Sequence, residues 1–254
     1  MTLTVIFSDD CLLVIDKPPG LVSTPSETRK DQTLSDILQT EYGIDLERGG
    51  LVHRLDKDTS GIVLVAKNQE SFENLQKQFA QREVKKEYTA LAHGFTAERE
   101  EVDGAISRNP GNREKFVVLE GGKEAVTYFD RMEKLEMSQD VQDDIFEGFN
   151  KIQKRKLQRT NYGEFSLLKC FPKTGRTHQI RVHLKHIEHP IVGDEKYAGR
   201  KTSRLDKRWC KRQFLHASKI EFSHPISGKR IVFESPIPED LKKALKCLTR
   251  IENA

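Results

Sequence analysis

An apolar run at residues 62–66 places the strongest constraint on the fold, because no polar side chain interrupts it. Such a run between loop residues predicts a strand that is buried in a sheet. Phe72, Leu75 and Phe79 then recur at helical spacing after Asn68, a residue type that often caps a helix N-terminus. The chain is therefore predicted to build a sheet around this strand and to continue into an amphipathic helix.

Further strands and helices are predicted from patterns of the same kind. Strand character occurs at residues 3–7, 11–16, 84–92, 116–119, 125–130, 165–171, 214–222 and 230–234. Helices are predicted between Thr33 and Gly43, over 177–187 and over 241–251, where apolar residues repeat on one face. Thr33 with Asp36 three residues later suggests a capping box, and Gly43 is a natural helix end.

The composition limits the class of protein. At 254 residues the chain can bury a hydrophobic core, and its 36% hydrophobic and 32% charged residues are typical of a soluble globular protein. No apolar run approaches the ~18 residues of a membrane helix, and residues 1–10 lack a secretory signal pattern. Four cysteines without a CxxC pair argue against disulfides and structural zinc, and they favour a reducing cytoplasm.

Positive charge is concentrated in one part of the chain. Residues 173–219 contain 13 Lys and Arg but only 4 Asp and Glu, and five of the eight histidines, whereas the whole chain has a net charge of +4. A basic stretch of this kind is the electrostatic footprint of a protein that binds a phosphate backbone. A solvated, lysine-rich surface is the alternative explanation.

Residues 132–163 differ from the rest of the chain because they contain few apolar residues and show no clear periodicity. The first half of this segment is acidic and the second half is basic. We interpret it as an excursion from the core of a single domain that covers residues 1–254, and not as a domain of its own.

The densest polar signal is the loop between Leu51 and Gly61, in which Asp56 precedes the predicted buried strand. A carboxylate on a loop that a rigid strand anchors is well placed for catalysis, although an Asx turn explains the same residue. The His-Arg-Leu-Asp sequence that ends at Asp56 superficially resembles the catalytic loop of protein kinases. Its inserted leucine excludes that function, as does the lack of Asp-Phe-Gly and of a glycine-rich phosphate loop.

Four histidines in the basic stretch raise the question of a metal site: His178, His183, His186 and His189. No HExxH motif and no pair of nearby carboxylates completes a ligand set, so we predict no bound metal.

The segment around Gly175 combines a tight turn with the start of a predicted helix. A helix N-terminus together with Arg176 would suit a phosphate or a base edge. Arg181 lies within this helix, where its planar guanidinium could hold a carboxylate from another loop in the ionised state. An ordinary basic helix face is the alternative for both arginines.

Four motifs follow one another along the chain: Lys17-Pro18-Pro19-Gly20-Leu21, His53-Arg54-Leu55-Asp56 with Thr59-Ser60-Gly61, Lys86-Glu87-Tyr88, and Thr174-Gly175-Arg176-Thr177-His178-Gln179-Ile180-Arg181. In this order they resemble the RluA family of RNA pseudouridine synthases. The resemblance covers about residues 5–236, and the aspartate-containing motif is its most specific part.

The resemblance implies an α+β fold, with a single catalytic domain around a curved, mainly antiparallel mixed sheet and flanking helices. It implies that Asp56 is the catalytic aspartate, that Tyr88 stacks on the target uracil, and that Arg181 pairs with the aspartate. It implies that Arg54 helps to extrude the nucleotide, and that no metal or other cofactor takes part. The catalytic motifs start near the beginning of the chain, so no separate N-terminal RNA-binding domain is expected.

These expectations combine into one predicted function, the isomerisation of uridine to pseudouridine in structured ribosomal or transfer RNA. Residues expected to bind the RNA are Lys17, His53, Arg54, Thr59, Arg176 and His178. We expect a cytoplasmic monomer with RNA as its partner, without a membrane or an obligatory protein partner. The alternatives are a non-catalytic RNA-binding or RNA-folding protein that uses the same cleft, and a metal-dependent hydrolase, which would require bound metal.

Overall fold

The computed structural model describes residues 3–25, 32–152, 155 and 162–251. The chain divides into two compact units, one formed by Met1–Glu87 with His216–Pro236 and the other by Tyr88–Leu215 with Ile237–Ala254. The single-domain organisation expected from the sequence stays a prediction. Within the described ranges, no helix is both long enough and apolar enough to span a membrane.

The secondary structure alternates between strands and short helices. The strands are β1 (Thr4–Ser8), β2 (Leu12–Lys17), β3 (Ser60–Ala66), β4 (Lys85–His93), β5 (Arg99–Asp103), β6 (Ile106–Asn109), β7 (Asn112–Val118), β8 (Val126–Met137), β9 (Glu164–Pro172), β10 (Leu215–Ser223), β11 (Arg230–Glu234) and β12 (Leu248–Arg250). The helices are α1 (Leu34–Tyr42), α2 (Gln69–Ala80), α3 (Gln139–Ile145), α4 (Gln179–His186), α5 (Arg200–Asp206) and α6 (Glu239–Leu245). A short 3₁₀ helix covers Glu47–Gly50.

In the first unit, strands β1, β2, β3 and β10 lie side by side, and β11 pairs with β10. All of these pairs are antiparallel except β3 with β10, which is parallel. Every residue of β3 is buried, so the buried strand predicted at 62–66 is confirmed. Its Ile62 and Leu64 pack with Phe72 and Leu75 of α2. The chain therefore passes directly from the Asp56 loop into a strand whose residues are all buried.

In the second unit, β4, β9, β8 and β12 form a continuous antiparallel arrangement. Strand β5 also pairs with β8, while β6 and β7 make a separate hairpin. The core of this unit includes Phe165, Leu168 and Phe214, which have no exposed surface. Helix α4 contributes Ile180 and Leu184 to the same core. The predicted α+β class with a mixed, mainly antiparallel sheet is confirmed.

The expectation of one helix over 241–251 is wrong in its second half. Helix α6 ends at Leu245, and residues 248–250 pair as β12 with the end of β8. Leu248 packs against the same core as Leu241 and Ala244. Leu248 fits the helical repeat of apolar residues but reaches the core from a strand. The spacing of apolar residues alone therefore does not distinguish a longer helix from a helix followed by a strand.

Residues 132–163 are more closely tied to the core than the sequence predicts. Strand β8 continues through Met137, and Ile145, Phe146 and Tyr162 are buried in the core of the second unit. Arg208 reaches this segment and donates hydrogen bonds to the carbonyl oxygens of Ile145 (2.5 Å) and Glu147 (3.0 Å). Most of its basic second half, at residues 153, 154 and 156–161, lies outside the described residues.

Candidate active site

Asp56 occupies the first position of a tight turn in the first unit. The N–H of Thr59 donates to the carbonyl oxygen of Asp56 at 3.1 Å, which closes the turn. The preceding residue, Leu55, is buried, and its N–H and C=O both bond the hydroxyl of Ser23, at 3.2 and 2.7 Å. The side chain of Asp56 itself is half-buried. The turn thus holds this carboxylate at a defined position next to a buried anchor.

Lys17 stabilises the same turn through a hydrogen bond to the backbone of Lys57. Its side chain has no exposed surface, and its ammonium donates to the carbonyl oxygens of Pro18, Leu21 and Lys57 at 2.8, 2.9 and 3.0 Å. The N–H of Gly20 also donates to the Lys57 carbonyl, at 2.9 Å. The expectation that Lys17 binds RNA is at odds with this burial, because an enclosed ammonium cannot reach a phosphate. Its hydrogen bonds go to the backbone on either side of the catalytic motif.

His53 and Thr59, also expected to bind RNA, are directed into the protein. The Nε2 atom of His53 accepts a hydrogen bond from the N–H of Leu64 in β3 (2.9 Å), and its ring stacks on Phe79. Burial, with a smaller effect of the Lys86 charge, lowers the pKa of His53 to about 3, so the ring is neutral at pH 7. Thr59 is 2% exposed. Arg54, which lies between His53 and Asp56 in the same motif, is exposed.

Lys86 and Tyr88 lie two positions apart on β4, so their side chains leave the strand on the same face. Tyr88 is half-buried, and its backbone pairs with Cys170 of β9. Burial lowers the pKa of Lys86 to about 8. In the sequence, Lys86 is recognisable only as part of a motif. The lowered pKa of its ammonium could not be predicted from the sequence, because burial depends on the tertiary structure.

Arg181 in α4 has a carboxylate partner that the sequence analysis did not identify. Its Nε and Nη2 atoms donate to the two carboxylate oxygens of Asp194, at 2.6 and 2.9 Å. Arg181 is 5% exposed and Asp194 is fully buried. The guanidinium also lies over the ring of Tyr197, 5.1 Å from its centroid. The side chain is therefore held in one orientation inside the second unit.

The turn before α4 is organised by Gln179, which is 4% exposed. Its Oε1 atom accepts from the Thr174 hydroxyl (2.7 Å) and from the N–H of Arg176 (2.9 Å). Its Nε2 atom donates to the carbonyl oxygen of Val126 and to the Thr127 hydroxyl. The side chain of Arg176 stays exposed, with its Nε bonded to the Glu124 carbonyl. The turn leaves Arg176 exposed, and its contact with an anion stays a prediction.

His178, His183 and His189, three of the four histidines near α4, form hydrogen bonds within the protein. The Nδ1 atom of His178, a residue in the left-handed conformation (φ 57°), is hydrogen-bonded to the Tyr197 hydroxyl at 2.8 Å. His183 is fully buried between the Thr127 hydroxyl and the carbonyl oxygen of Gly104, and burial lowers its pKa. Among the described residues, the one group with metal-ligating geometry is Asp9 with Cys11 and His224, which includes none of these four histidines.

The predicted catalytic residues belong to different units, since Asp56 lies in the first and Tyr88 and Arg181 lie in the second. The first unit gathers Lys17, His53, Arg54 and Thr59 around Asp56, and the second gathers Arg176 and His178 near Arg181. The pairing of Asp56 with Arg181 and the stacking role of Tyr88 stay predictions.

Comparison with known proteins gives a consistent match. Residues 11–186 match the family model described as RNA pseudouridylate synthase. Ribosomal large subunit pseudouridine synthase D of Xanthomonas campestris is 36% identical over an alignment of 256 positions, covering 97% of this chain and 69% of the relative. An uncharacterized RNA pseudouridine synthase of Bacillus subtilis, YlyB, is 35% identical and covers 98% and 74%.

Two solved human structures share the fold. RNA Pseudouridylate Synthase Domain Containing 1 superposes with a TM-score of 0.72 at 25% identity, covering 98% of this chain and 89% of that one. RNA Pseudouridylate Synthase Domain Containing 4 has a TM-score of 0.67 at 21% identity, covering 97% and 94%.

Proposed function

Because the chain belongs to the RNA pseudouridylate synthase family and is an RNA pseudouridine synthase, we propose that it modifies specific uridines of structured ribosomal RNA, with Asp56 as the catalytic carboxylate. The observation that carries this proposal is the turn at Asp56. Hydrogen bonds from Lys17, Ser23 and Thr59 to backbone carbonyl oxygens of residues 55–57 fix this turn. Several relatives are named for the large ribosomal subunit, which favours ribosomal over transfer RNA. We propose that the enzyme acts as a cytoplasmic monomer.

The reaction breaks the bond between ribose C1′ and uracil N1 and joins C1′ to C5 of the same base. N1 gains a proton and C5 loses one, so the atoms balance without any imported group and without a redox step. A carboxylate in the position of Asp56 would attack C1′ or stabilise positive charge that develops there, as carboxylates do in glycoside hydrolysis. The fixed turn would keep this group oriented while the base detaches and rotates.

The target uridine must leave the stacked RNA before it can react. Exposed Arg54 lies two residues before Asp56 and would occupy the space that the extruded nucleotide vacates. Tyr88 offers an aromatic face for the uracil, and its hydroxyl would assist proton removal from C5. Arg176 would bind the backbone beside the flipped nucleotide, since its turn leaves the guanidinium exposed.

Arg181 is proposed as the counter-ion of Asp56. A catalytic carboxylate must remain ionised in a pocket that excludes water, and a neighbouring guanidinium favours the charged state. The bidentate geometry available to arginine would also fix its orientation.

The proposal is tested by mapping pseudouridine in unmodified ribosomal and transfer RNA after incubation with the purified protein and with Asp56→Asn. Asparagine keeps the size of aspartate but cannot ionise, so we expect isomerisation to disappear while the Kd for RNA stays within about twofold. Asp58→Asn is the matched control, because Asp58 lies two residues further along the same loop and is exposed. This variant should keep wild-type turnover.

Two results would contradict the proposed catalytic role, and a third would contradict the proposed substrate. If Asp56→Asn kept more than about a tenth of the wild-type rate, Asp56 would not be the central catalytic group. If the wild-type protein bound RNA without forming pseudouridine, the non-catalytic RNA-binding function would be correct. Modification confined to transfer RNA would replace the proposed substrate and leave the mechanism intact.

A further inference from the structure

We propose that His216 is a positioning residue, which holds the end of the Asp56 turn through the hydroxyl of Ser60. The inference rests on the proposed function, in which Asp56 is the catalytic carboxylate. All three residues lie in the first unit. His216 is outside the four motifs that resemble the family, so its part in the site follows from the fold.

The ring of His216 is hydrogen-bonded at both nitrogen atoms. Its Nδ1 atom lies 3.0 Å from the Ser60 hydroxyl, and its Nε2 atom lies 3.1 Å from the carbonyl oxygen of Ser235. A carbonyl oxygen can only accept, so Nε2 carries a proton, and in the neutral ring Nδ1 then accepts from the Ser60 hydroxyl. All three residues are buried. Because they are withdrawn from bulk solvent, replacing one partner is costly for the other.

The carbonyl oxygen that orients His216 is itself held in place. The N–H of Ser235 donates to the carbonyl oxygen of Ser218 in β10 at 2.8 Å. The hydroxyl of Ser235 donates to the Oδ2 atom of Asp16 in β2 at 2.9 Å. The ring of His216 therefore has a fixed acceptor on one side and the first residue of β3, Ser60, on the other.

The contact lies at the parallel junction between β3 and β10, where His216 pairs with Ser60 and Ala217 pairs with Gly61. At Gly61 (φ 115°) a Cβ would meet the carbonyl oxygen of Ala217 at 2.3 Å, so the two backbones approach too closely for a larger residue. This backbone pairing covers two residue pairs. The side chain of His216 adds a further bond to the junction at the residue that follows the Asp56 turn.

Ser60 connects this junction to the candidate catalytic group. The N–H of Thr59 closes the turn by donating to the carbonyl oxygen of Asp56, and Ser60 is the next residue. Before Asp56, the hydroxyl of Ser23 bonds the backbone. The turn is thus anchored through Ser23 at one end and through His216 at the other. A carboxylate on this turn keeps its position only while both anchors hold, and a small displacement of a reacting group lowers the rate strongly.

Three variants separate the two bonds of His216. Ser60→Ala removes the hydroxyl, and His216→Gln keeps an amide N–H for the Ser235 carbonyl without a polar atom at the position of Nδ1. His216→Asn has a polar atom at that position and retains a partner for Ser60. In single-turnover assays at saturating RNA, we expect rates about tenfold below wild type for Ser60→Ala and His216→Gln, and within about threefold of wild type for His216→Asn.

A double variant tests the bond itself. Ser60→Ala and His216→Gln remove the same contact, so their combination should also be about tenfold slower than wild type, and not about a hundredfold slower. The Kd for RNA should stay within about twofold in each variant, because both residues are buried.

Amide hydrogen exchange gives a second readout that does not depend on activity. Exchange at the Thr59 N–H should become about tenfold faster in Ser60→Ala and in His216→Gln, because the turn opens more often. The N–H of Phe72, which donates to the carbonyl oxygen of Asn68 at the start of α2, should exchange at the wild-type rate.

Gln78→Ala is the matched control, because Gln78 is another buried link to β10. Its side-chain amide donates to the carbonyl oxygen of Ser223 at 2.7 Å and accepts from the N–H of Ser223 at 2.9 Å. Ser223 lies at the opposite end of β10 from His216. This substitution should lower the free energy of unfolding and keep the wild-type single-turnover rate.

The outcomes separate this inference from the proposed function. The positioning role would be overturned by a wild-type rate in Ser60→Ala or His216→Gln, by additive losses in the double variant, or by unchanged exchange at Thr59. It would also be overturned if Gln78→Ala or His216→Asn were as slow as Ser60→Ala. If His216→Gln does not fold, Ser60→Ala and His216→Asn carry the same test, because the first should be slow and the second fast. Activity in Asp56→Asn would instead remove the proposed function, and exchange at Thr59 would then decide alone whether His216 holds the turn.

Discussion

At the scale of single residues, Lys17 and His53 both have a structural role that their motifs do not indicate. Both are polar side chains beside Asp56, and both make hydrogen bonds to backbone groups of their own unit. A basic residue in a nucleic-acid enzyme suggests a phosphate contact, and only the burial of the side chain distinguishes an anchor from such a contact. Removing one partner of a buried charged group is costly, so the loss of any of the three carbonyl contacts of Lys17 should destabilise the fold.

The neutral state of His53 predicts a specific pH dependence of stability. Its pKa is about 3 in the folded protein and 6.5 in an unfolded chain. The unfolded state therefore binds more protons between these values, and the free energy of unfolding falls as the pH falls from 6.5 towards 3. The contribution of His53 is at most about 1.4 kcal/mol per pH unit.

This dependence can be measured by urea unfolding at pH 7, 6, 5 and 4, followed by circular dichroism. His53→Gln removes the titrating ring, so its free energy of unfolding should depend less steeply on pH than that of the wild type. His186→Gln replaces an exposed histidine and is the control, and its slope should stay closer to that of the wild type than the slope of His53→Gln. Parallel curves for the wild type and His53→Gln would show that His53 does not remain neutral on folding.

Part of the site could be predicted from residue types and their order, and part could not. Asp56 is a candidate from the sequence because a carboxylate lies between a polar loop and an apolar run, but its catalytic role is implied only by the resemblance to the family. Asp194 was missed, because it lies 13 residues after Arg181 in a segment without a pattern and contacts it only through the fold. Gln179 belongs to a motif, but its four hydrogen bonds to neighbouring segments depend on the folded arrangement and cannot be read from the sequence.

At the scale of elements, the helix α1 shows where local rules are sufficient. Thr33 accepts from the N–H of Asp36, while the carboxylate of Asp36 accepts from the N–H of Thr33, so the predicted capping box is confirmed. Gly43 ends the helix in the left-handed conformation (φ 66°), as predicted. These signals act within four residues of the sequence. Residues 248–250 depart from prediction because their strand partner, β8, is more than one hundred residues away in the chain.

The capping box of α1 should contribute measurably to stability. Thr33→Ala removes the side chain that accepts from Asp36, so the free energy of unfolding should fall by about 1 kcal/mol. Thr40→Ala is the control within the same helix, because its hydroxyl only bonds the carbonyl oxygen of Asp36 on the exposed side. This change should stay within about 0.5 kcal/mol of wild type in urea unfolding. Equal effects of the two substitutions would show that the cap does not stabilise α1.

At the scale of the whole molecule, the basic stretch 173–219 divides into two groups of side chains. Several of its cations have partners within the protein, as Arg181 has with Asp194, Arg212 with Asp240 and Lys207 with Glu195. Arg200, Lys201 and Arg204 on α5 are exposed. The net charge of the stretch therefore overstates how many groups can meet RNA, and the exposed face of α5 is the stronger candidate for a phosphate contact.

The salt dependence of RNA binding tests this assignment. Lys201 and Arg204 lie three residues apart on α5 and so share one face of the helix. Each phosphate contact contributes about 0.7 to 0.9 to the slope of log K against log salt, since binding releases condensed counterions. The double reversal Lys201→Glu with Arg204→Glu should therefore reduce the magnitude of that slope by about 1.4 to 1.8. Single-turnover chemistry on saturating RNA should remain at the wild-type rate.

A matched control separates a local contact from a change in total charge. Lys243 and Lys246 are exposed, three residues apart, and lie at the C-terminal end of α6. Reversing both changes the net charge by the same amount as the α5 double variant, so it should weaken binding slightly through long-range repulsion without altering the slope. If the two double variants reduced the slope equally, RNA binding would depend on overall charge. If neither double variant reduced the slope, the phosphate contacts would lie away from α5. Reversing the charge of a residue that contacts a phosphate must change the number of counterions released on binding, and therefore the slope.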